Sequence, residues 1–199
     1  MNTPKPELPW IALMGDAGAG KDTAAEVLVR EYGYTRIAFA DPVRQALLAV
    51  NPLISADWCV KDAVLVHGWE DAKRIFPEIR ALLQRLGTDA IRSQDPHFWC
   101  RQAERAARKV GGPVVFTDTR FLNELRMVSE YHGEVILVAR PSSSKLAAEA
   151  GAHISEQEWR TWPPDHILSN NGDVHQFRYL VTDLVNTKLT PNTDKGVTQ

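Results

Sequence analysis

Cysteine is scarce in this chain. Cys59 and Cys100 are the only two, far apart and in no C-x-x-C pattern. That excludes a disulfide framework and offers no zinc-binding spacing, and isolated thiols suit a reducing cytosol, so a cytoplasmic protein is expected. No apolar run reaches the length of about 18 residues that a membrane span needs. The N-terminus carries Pro4, Pro6 and Pro9 and lacks the apolar core of an export signal. A surplus of basic charge is also missing: the formal net charge is -2, which argues against nucleic acid as the main partner. Internal repeats and an interdomain linker are absent too. What remains is ordinary globular composition, 44% hydrophobic and 24% charged over 199 residues, enough for one α/β domain with a full core.

One stretch organises the rest: Trp10-Ile11-Ala12-Leu13-Met14-Gly15-Asp16-Ala17-Gly18-Ala19-Gly20-Lys21-Asp22-Thr23. It reads as a buried strand, a glycine-rich turn and a helix start. From Gly15 to Lys21 the spacing is G-x-x-x-x-G-K, the phosphate-loop pattern. Glycines let successive N–H groups converge on phosphate oxygens. The helix start adds unpaired N–H groups and the positive end of a dipole. Lys21 supplies a point charge for the outer phosphates. Asp22 stands where Ser or Thr normally meets Mg²⁺, and Thr23 follows it. A glycine-rich turn with a chance lysine is the plainer reading, but the flanking strand and helix favour phosphate binding.

Further along, helices are expected over Asp22 to Glu31 with Gly33 as stop, and from Asp41-Pro42, with Asp41 as N-cap, to Asn51-Pro52. Between them Arg36 to Ala40 is strand-like. Residues 53–76 read as an insertion over the acceptor site containing short helices. Pro77 to Leu86 is a helix that Gly87 should end, and Asp95-Pro96 starts another that runs to Val110. Pro113 to Asp118 and Val135 to Ala139 read as central parallel strands around a helix from Phe121 to Tyr131. Residues 141–162 have the length and looseness of a lid, with Ser155 and Glu158 as a capping box. His166 to Ser169 is a last strand, Asn171-Gly172 a turn, and Asp173 with Gln176 caps a final helix to Leu189. Residues 190–199 read as a flexible tail.

The chemistry narrows at three places. Asp118-Thr119-Arg120 ends a strand that should lie beside the phosphate loop. An acid there suits Mg²⁺ or a helix N-cap, and an arginine fork suits a second phosphate. Arginines recur near element ends, at Arg44, Arg80, Arg92, Arg120 and Arg140, although many surface arginines are merely solvated. The lid would exclude water from a transferred phosphoryl group. Cys100 beside Trp99 reads as core. His153-Ile154-Ser155-Glu156 has no second histidine at ligand spacing, so a structural hinge is the blander choice. A GTP switch needs Asn-Lys-x-Asp; Asn170-Asn171-Gly172-Asp173 lacks the lysine and suits turn and cap chemistry.

Taken in order, Gly20-Lys21-Asp22-Thr23, Leu82-Leu83-Gln84-x-Leu86-Gly87-Thr88-Asp89, Trp99, Asp118-Thr119-Arg120 with Glu124, Val138-x-Arg140-Pro141, His153 to Glu156 and Ser169-Asn170-Asn171-Gly172 resemble the deoxynucleoside monophosphate kinases of tailed bacteriophages. The resemblance implies a nucleoside-monophosphate-kinase fold of the P-loop class, a parallel sheet flanked by helices with a lid. It implies ATP-dependent phosphorylation of a dNMP to a dNDP with Mg²⁺, in the host cytoplasm if phage-encoded. On this pattern Gly15 to Thr23 hold the ATP phosphates, with Lys21, Asp118 and Arg120 catalytic. Asp22, Thr23 and Asp118 face the metal. Arg44, Arg80, Gln84, Arg120 and Glu124 line the acceptor side, and Arg140 and Asn170 lie toward the ATP base. The partners implied are small nucleotides, with no nucleic acid and no membrane, and a homodimer is left open. A kinase of the dephospho-coenzyme A or phosphomevalonate type and a non-enzymatic nucleotide-binding module remain the alternatives.

Overall fold

The computed structural model describes residues 8–141 and 158–190. The expected tail, the His153 to Glu156 segment and most of the expected lid lie outside those residues. Where one domain with an insertion is expected, the chain packs as two compact units. One takes in the chain up to Ala38 and from Glu104 onward, and the other is Phe39–Ala103.

The first unit is built on a sheet of five parallel strands: β1 (Ile11–Met14), β2 (Thr35–Ile37), β3 (Val114–Phe116), β4 (Glu134–Ala139) and β5 (His166–Ser169), in the order β2-β3-β1-β4-β5. β1 is central, between β3 and β4, and all four of its residues are buried. A short, continuously apolar run is what burial on both faces of a parallel sheet demands. β2 sits earlier than expected. It pairs with β3 through Thr35, Arg36 and Ile37. Because β3 is only three residues long, positions 38–40 have no ladder to join and lead into a helix instead.

Helix α1 (Lys21–Tyr32) buries Ala24, Ala25, Val27 and Leu28, and stops where Gly33 turns left-handed at φ 75. α6 (Leu122–Glu130) links β3 to β4, and α7 (Val174–Leu184) follows β5 and widens into a further turn over Val185–Leu189. Asp173 caps α7, accepting from the His175 and Gln176 amides at 2.8 Å each. Ile11, Leu13, Ile136 and Val138 of the sheet pack with α1 and with Phe177, Val181 and Val185. Each such side chain, fully buried, stabilises by about 1.5–3 kcal/mol.

The second unit is helical: α2 (Asp41–Val50), α3 (Val60–Ile75), α4 (Pro77–Gln84) and the first part of α5 (Phe98–Val110). Its own core is Leu47, Val60, Ala63, Ala72 and Ile79, with Trp58, Trp69, Phe76, Leu82, Leu83 and Leu86 packed around it. Residues 53–76 contribute Val60, Ala63 and Ala72 to that core, beside Leu47 of α2 and Ile79 of α4. α3 bends at Gly68, whose backbone (φ 71, ψ 170) is not helical.

Two expected signals act differently. Asp41 is the first helical residue and Ala40 the cap; the Asp41 carboxylate lies 3.8 Å from Arg44, one turn on. Gly87 does not end its helix, which continues as a wider π-type turn over Arg85–Arg92. A Cβ on Gly87 would come 3.3 Å from Val43, and its carbonyl accepts from the Trp99 indole at 2.8 Å. Glycine serves close packing there, and no left-handed stop is made.

Candidate active site

The phosphate loop joins β1 to α1, at the carboxyl end of the central strand. Two of its glycines are forced by approach as well as by backbone angle. Gly15 has φ 141, and a Cβ on it would stand 2.3 Å from the Val138 carbonyl oxygen in β4. Gly20 has φ 112, and a Cβ on it would stand 2.5 Å from Nδ2 of Asn170. The loop therefore sits pressed on β4 and on the residue after β5, with its own Ala19 fully buried.

Lys21 folds back across this loop. Its Nζ donates to the carbonyls of Gly15 at 2.8 Å and Asp16 at 2.9 Å. Burial, followed by the nearby charge of Arg120, pulls its pKa below the ordinary lysine value, while Asp22, Asp16 and Asp118 push it up. Lys21, Arg120 and three carboxylates thus share one electrostatic neighbourhood.

Asp118 follows β3, the strand beside β1. It is not the cap of α6; that position is Phe121. Glu124 instead closes the turn. Its Oε2 accepts from the amides of Arg120 at 2.8 Å and Phe121 at 3.2 Å, and the residue is 1% exposed. Glu124, expected on the acceptor side, is thus bonded to the backbone that carries Arg120. Among the described residues, the buried hydroxyls of Thr117 and Thr119, on either side of Asp118, meet no hydrogen-bond partner.

Arg140 and Asn170 share one cleft of about 320 Å³ with Lys21, Asp22, Thr23 and Phe177. That is the lower end of the range for ligand sites. Asn170 Nδ2 donates to the Ala19 carbonyl at 2.8 Å, which fastens the end of β5 to the loop. With Asp173 spent on capping α7, the Asn170 to Asp173 segment is accounted for without a base-reading role of the GTP-switch kind.

Arg44, Arg80 and Gln84 lie in the second unit. The Arg44 guanidinium stands 5.5 Å from the Trp69 ring and 3.8 Å from Glu70, which Lys73 meets at 2.7 Å. Burial opposes the Glu70 charge, but Lys73, Arg44 and Arg80 outweigh it and hold the carboxyl below its usual range. Three cations therefore gather around one acid. Gln84 is exposed at the end of α4.

One arginine was not singled out by sequence. Arg160, on a short turn of 3₁₀ helix (Glu158–Thr161), pairs with Asp16 of the phosphate loop. The partners are 144 positions apart, and no local motif announces them.

The family model for deoxynucleotide monophosphate kinase matches residues 73–181, more than half of the chain. A protein of Acanthamoeba polyphaga mimivirus named "Putative deoxynucleotide monophosphate kinase" is 28% identical over 187 residues, covering 84% of this chain and 91% of its own. Among solved structures, TT1252 from Thermus thermophilus superposes with a TM-score of 0.52 at 22% identity, covering 93% of this chain and all of that one, a likeness of fold. The charged neighbourhood of Lys21 on a P-loop sheet therefore has its context: this chain belongs to the deoxynucleotide monophosphate kinase family and is a phosphotransferase.

Proposed function

We propose that the protein transfers the γ-phosphoryl group of ATP to a deoxynucleoside monophosphate, giving a dNDP and ADP and so supplying DNA precursors. The observation that carries this reading is the gathering of Lys21, Arg120 and Asp118 at one phosphate loop. The loop amides and Lys21 bind and orient the donor phosphates. An oxygen of the acceptor phosphate attacks the γ-phosphorus in line, and the bond to the β,γ-bridging oxygen breaks as ADP leaves. An acceptor phosphate is already anionic, so no general base is called for; positioning and charge stabilisation are the protein's task. Arg120 supplies a planar fork between donor and acceptor, and Glu124 fixes its backbone. Arg140 and Asn170 lie toward the ATP base.

Mg²⁺ fits the residues present. Asp22 and Asp118 are both close enough to Lys21 to raise its pKa, and Thr23 lines the same cleft as Asp22. Such ions are commonly held by one or two carboxylates together with substrate phosphates. Asp22, Thr23 and Asp118 would hold it, and bound there it would supply neutralising charge to the transferring group.

For the acceptor, Arg44 and Arg80 suit a dianion, a reading supported by the positive charge they and Lys73 bring near Glu70, and Gln84 suits hydrogen bonding to a nucleoside. A coupled ADP-release assay across deoxy- and ribonucleoside monophosphates tests the reading. Turnover with at least one dNMP, dependent on Mg²⁺, is expected. Turnover with dephospho-coenzyme A or phosphomevalonate and none with any nucleotide would reassign the acceptor. No turnover with any acceptor would leave a nucleotide-binding module.

A further inference from the structure

Asp16 is an awkward residue to find in a phosphate loop. Its side chain is only 12% exposed, and its charge is felt by Lys21. A carboxylate so placed repels a triphosphate and competes with it for the lysine. In water such repulsion is weak, but at the low effective dielectric of a half-buried site it is not. Something must answer that charge.

The answering group is Arg160, and it is held in place by contacts that do not involve Asp16. Trp159 is 6% exposed and anchors the turn, and the Arg160 guanidinium lies 4.6 Å from the centre of that ring. On the same turn, Oε2 of Glu158 accepts from the Leu122 amide at 3.4 Å, and the Thr161 hydroxyl donates to the Glu158 carbonyl at 2.9 Å. Leu122 is the first residue of α6, two after Arg120. The turn therefore spans from the phosphate loop to the segment carrying Asp118 and Arg120. An arginine stacked on a buried indole is pre-organised, so little side-chain entropy is lost in holding the pair.

We propose that Arg160 is a positioning residue of the phosphate loop: it neutralises Asp16 and so leaves the charge of Lys21 to the donor phosphates. Its function is electrostatic and directed at the nucleotide. Its contribution to stability is small, because the Arg160 side chain is 43% exposed and such pairs are worth little to folding. The inference rests on the reading that a nucleoside triphosphate occupies this loop.

The test is a double-mutant cycle read by calorimetric titration of a non-hydrolysable ATP analogue with Mg²⁺, with thermal melting run on each variant. Arg160→Ala should weaken binding by about tenfold or more, with a melting temperature close to that of the unaltered protein. Arg160→Lys, which keeps the charge but not the stacked fork, should lose less than Arg160→Ala. Asp16→Asn should bind more tightly than the parent, because the loop gains net positive charge. The decisive protein is Asp16→Asn with Arg160→Ala together, which should return to within about threefold of the parent, since the acid needing an answer is gone. A double variant as weak as Arg160→Ala overturns the proposal and makes Arg160 a direct phosphate ligand. Normal binding by Arg160→Ala also overturns it and leaves a solvated surface pair. If the unaltered protein does not bind the analogue, the donor-site reading fails first and this proposal with it.

Discussion

The side-chain amide of Asn170 fills the space into which residue 20 would grow a Cβ. The gap to that position is 2.5 Å, and the same nitrogen donates to the neighbouring Ala19 carbonyl. The phosphate loop and the end of β5 are therefore interlocked, and either side can be probed alone. Gly20→Ala meets both this clash and a φ of 112. It should destabilise by about 1–3 kcal/mol and lower ATP affinity. Asn170→Ala should cost about 1 kcal/mol for the lost bond. In the double variant the clash is gone but the backbone strain stays, so only part of the loss should return. Chemical denaturation of the three proteins measures this, and full recovery would show that the angle costs nothing.

Lys21→Ala should reduce kcat by about two orders of magnitude or more, the loss typical of removing one group that stabilises transition-state charge. Its bonds to Gly15 and Asp16 give it a loop-closing part as well, so a modest fall in melting temperature is also expected. The pH dependence has a definite sign. Burial and the nearby Arg120 hold the folded pKa below the ordinary lysine value, so between the two the unfolded chain binds more protons than the folded one. The unliganded protein therefore gains stability as pH rises through that window. ATP needs the charged lysine, so its affinity should fall over the same window. Titrations of the parent and of Lys21→Ala from neutral pH upward decide it: the variant should show no such fall.

Asp22 and Thr23 divide the metal question between them. A carboxylate beside bound triphosphate is tolerable when a cation intervenes. Asp22→Asn should raise the Mg²⁺ concentration at half-maximal rate by about tenfold, the size of effect expected on removing a charged ligand. Thr23→Ala should move it less. If neither titration shifts, Asp118→Asn is the variant to measure next.

Arg120→Lys should leave ATP affinity nearly intact while kcat/KM for the monophosphate falls by about tenfold to a thousandfold, or roughly 1.4–4 kcal/mol of transition-state binding. Glu124 touches the backbone of Arg120, so Glu124→Gln should shift the same parameter in the same direction by a smaller factor. Steady-state kinetics with each substrate varied in turn read both. A collapse of ATP binding in Arg120→Lys would assign that side chain to the donor.

The parallel sheet, the loop and most helix ends were legible because each rests on local chemistry: buried β-branched runs, Gly33 at a left-handed stop, Asp173 at a cap. Gly87 reads as a helix stop because a glycine that ends a helix and one that admits Val43 look the same in one dimension. Asp41 has the composition of a cap, but the helix begins at Asp41 itself, one residue after Ala40. Arg160 carries no signal in the sequence for a different reason. Its partner is fixed by the fold, through a turn that Trp159 anchors, and long-range pairs of that kind leave no periodic trace.

The central place of β1 has a consequence for how the chain is made. Ile11 pairs with Val115 on one side and Glu134 on the other, so the strand leading into the phosphate loop emerges from the ribosome about a hundred residues before either neighbour. Until then Ile11, Ala12, Leu13 and Met14 form an unpaired apolar segment, and closing such distant contacts is slow. At a synthesis rate of about 5–20 residues per second, that exposure lasts several seconds or more. A chain interrupted before residue 114 never covers it. In nascent and truncated products a strand that is fully buried in the finished kinase is therefore the one left longest exposed to aggregation.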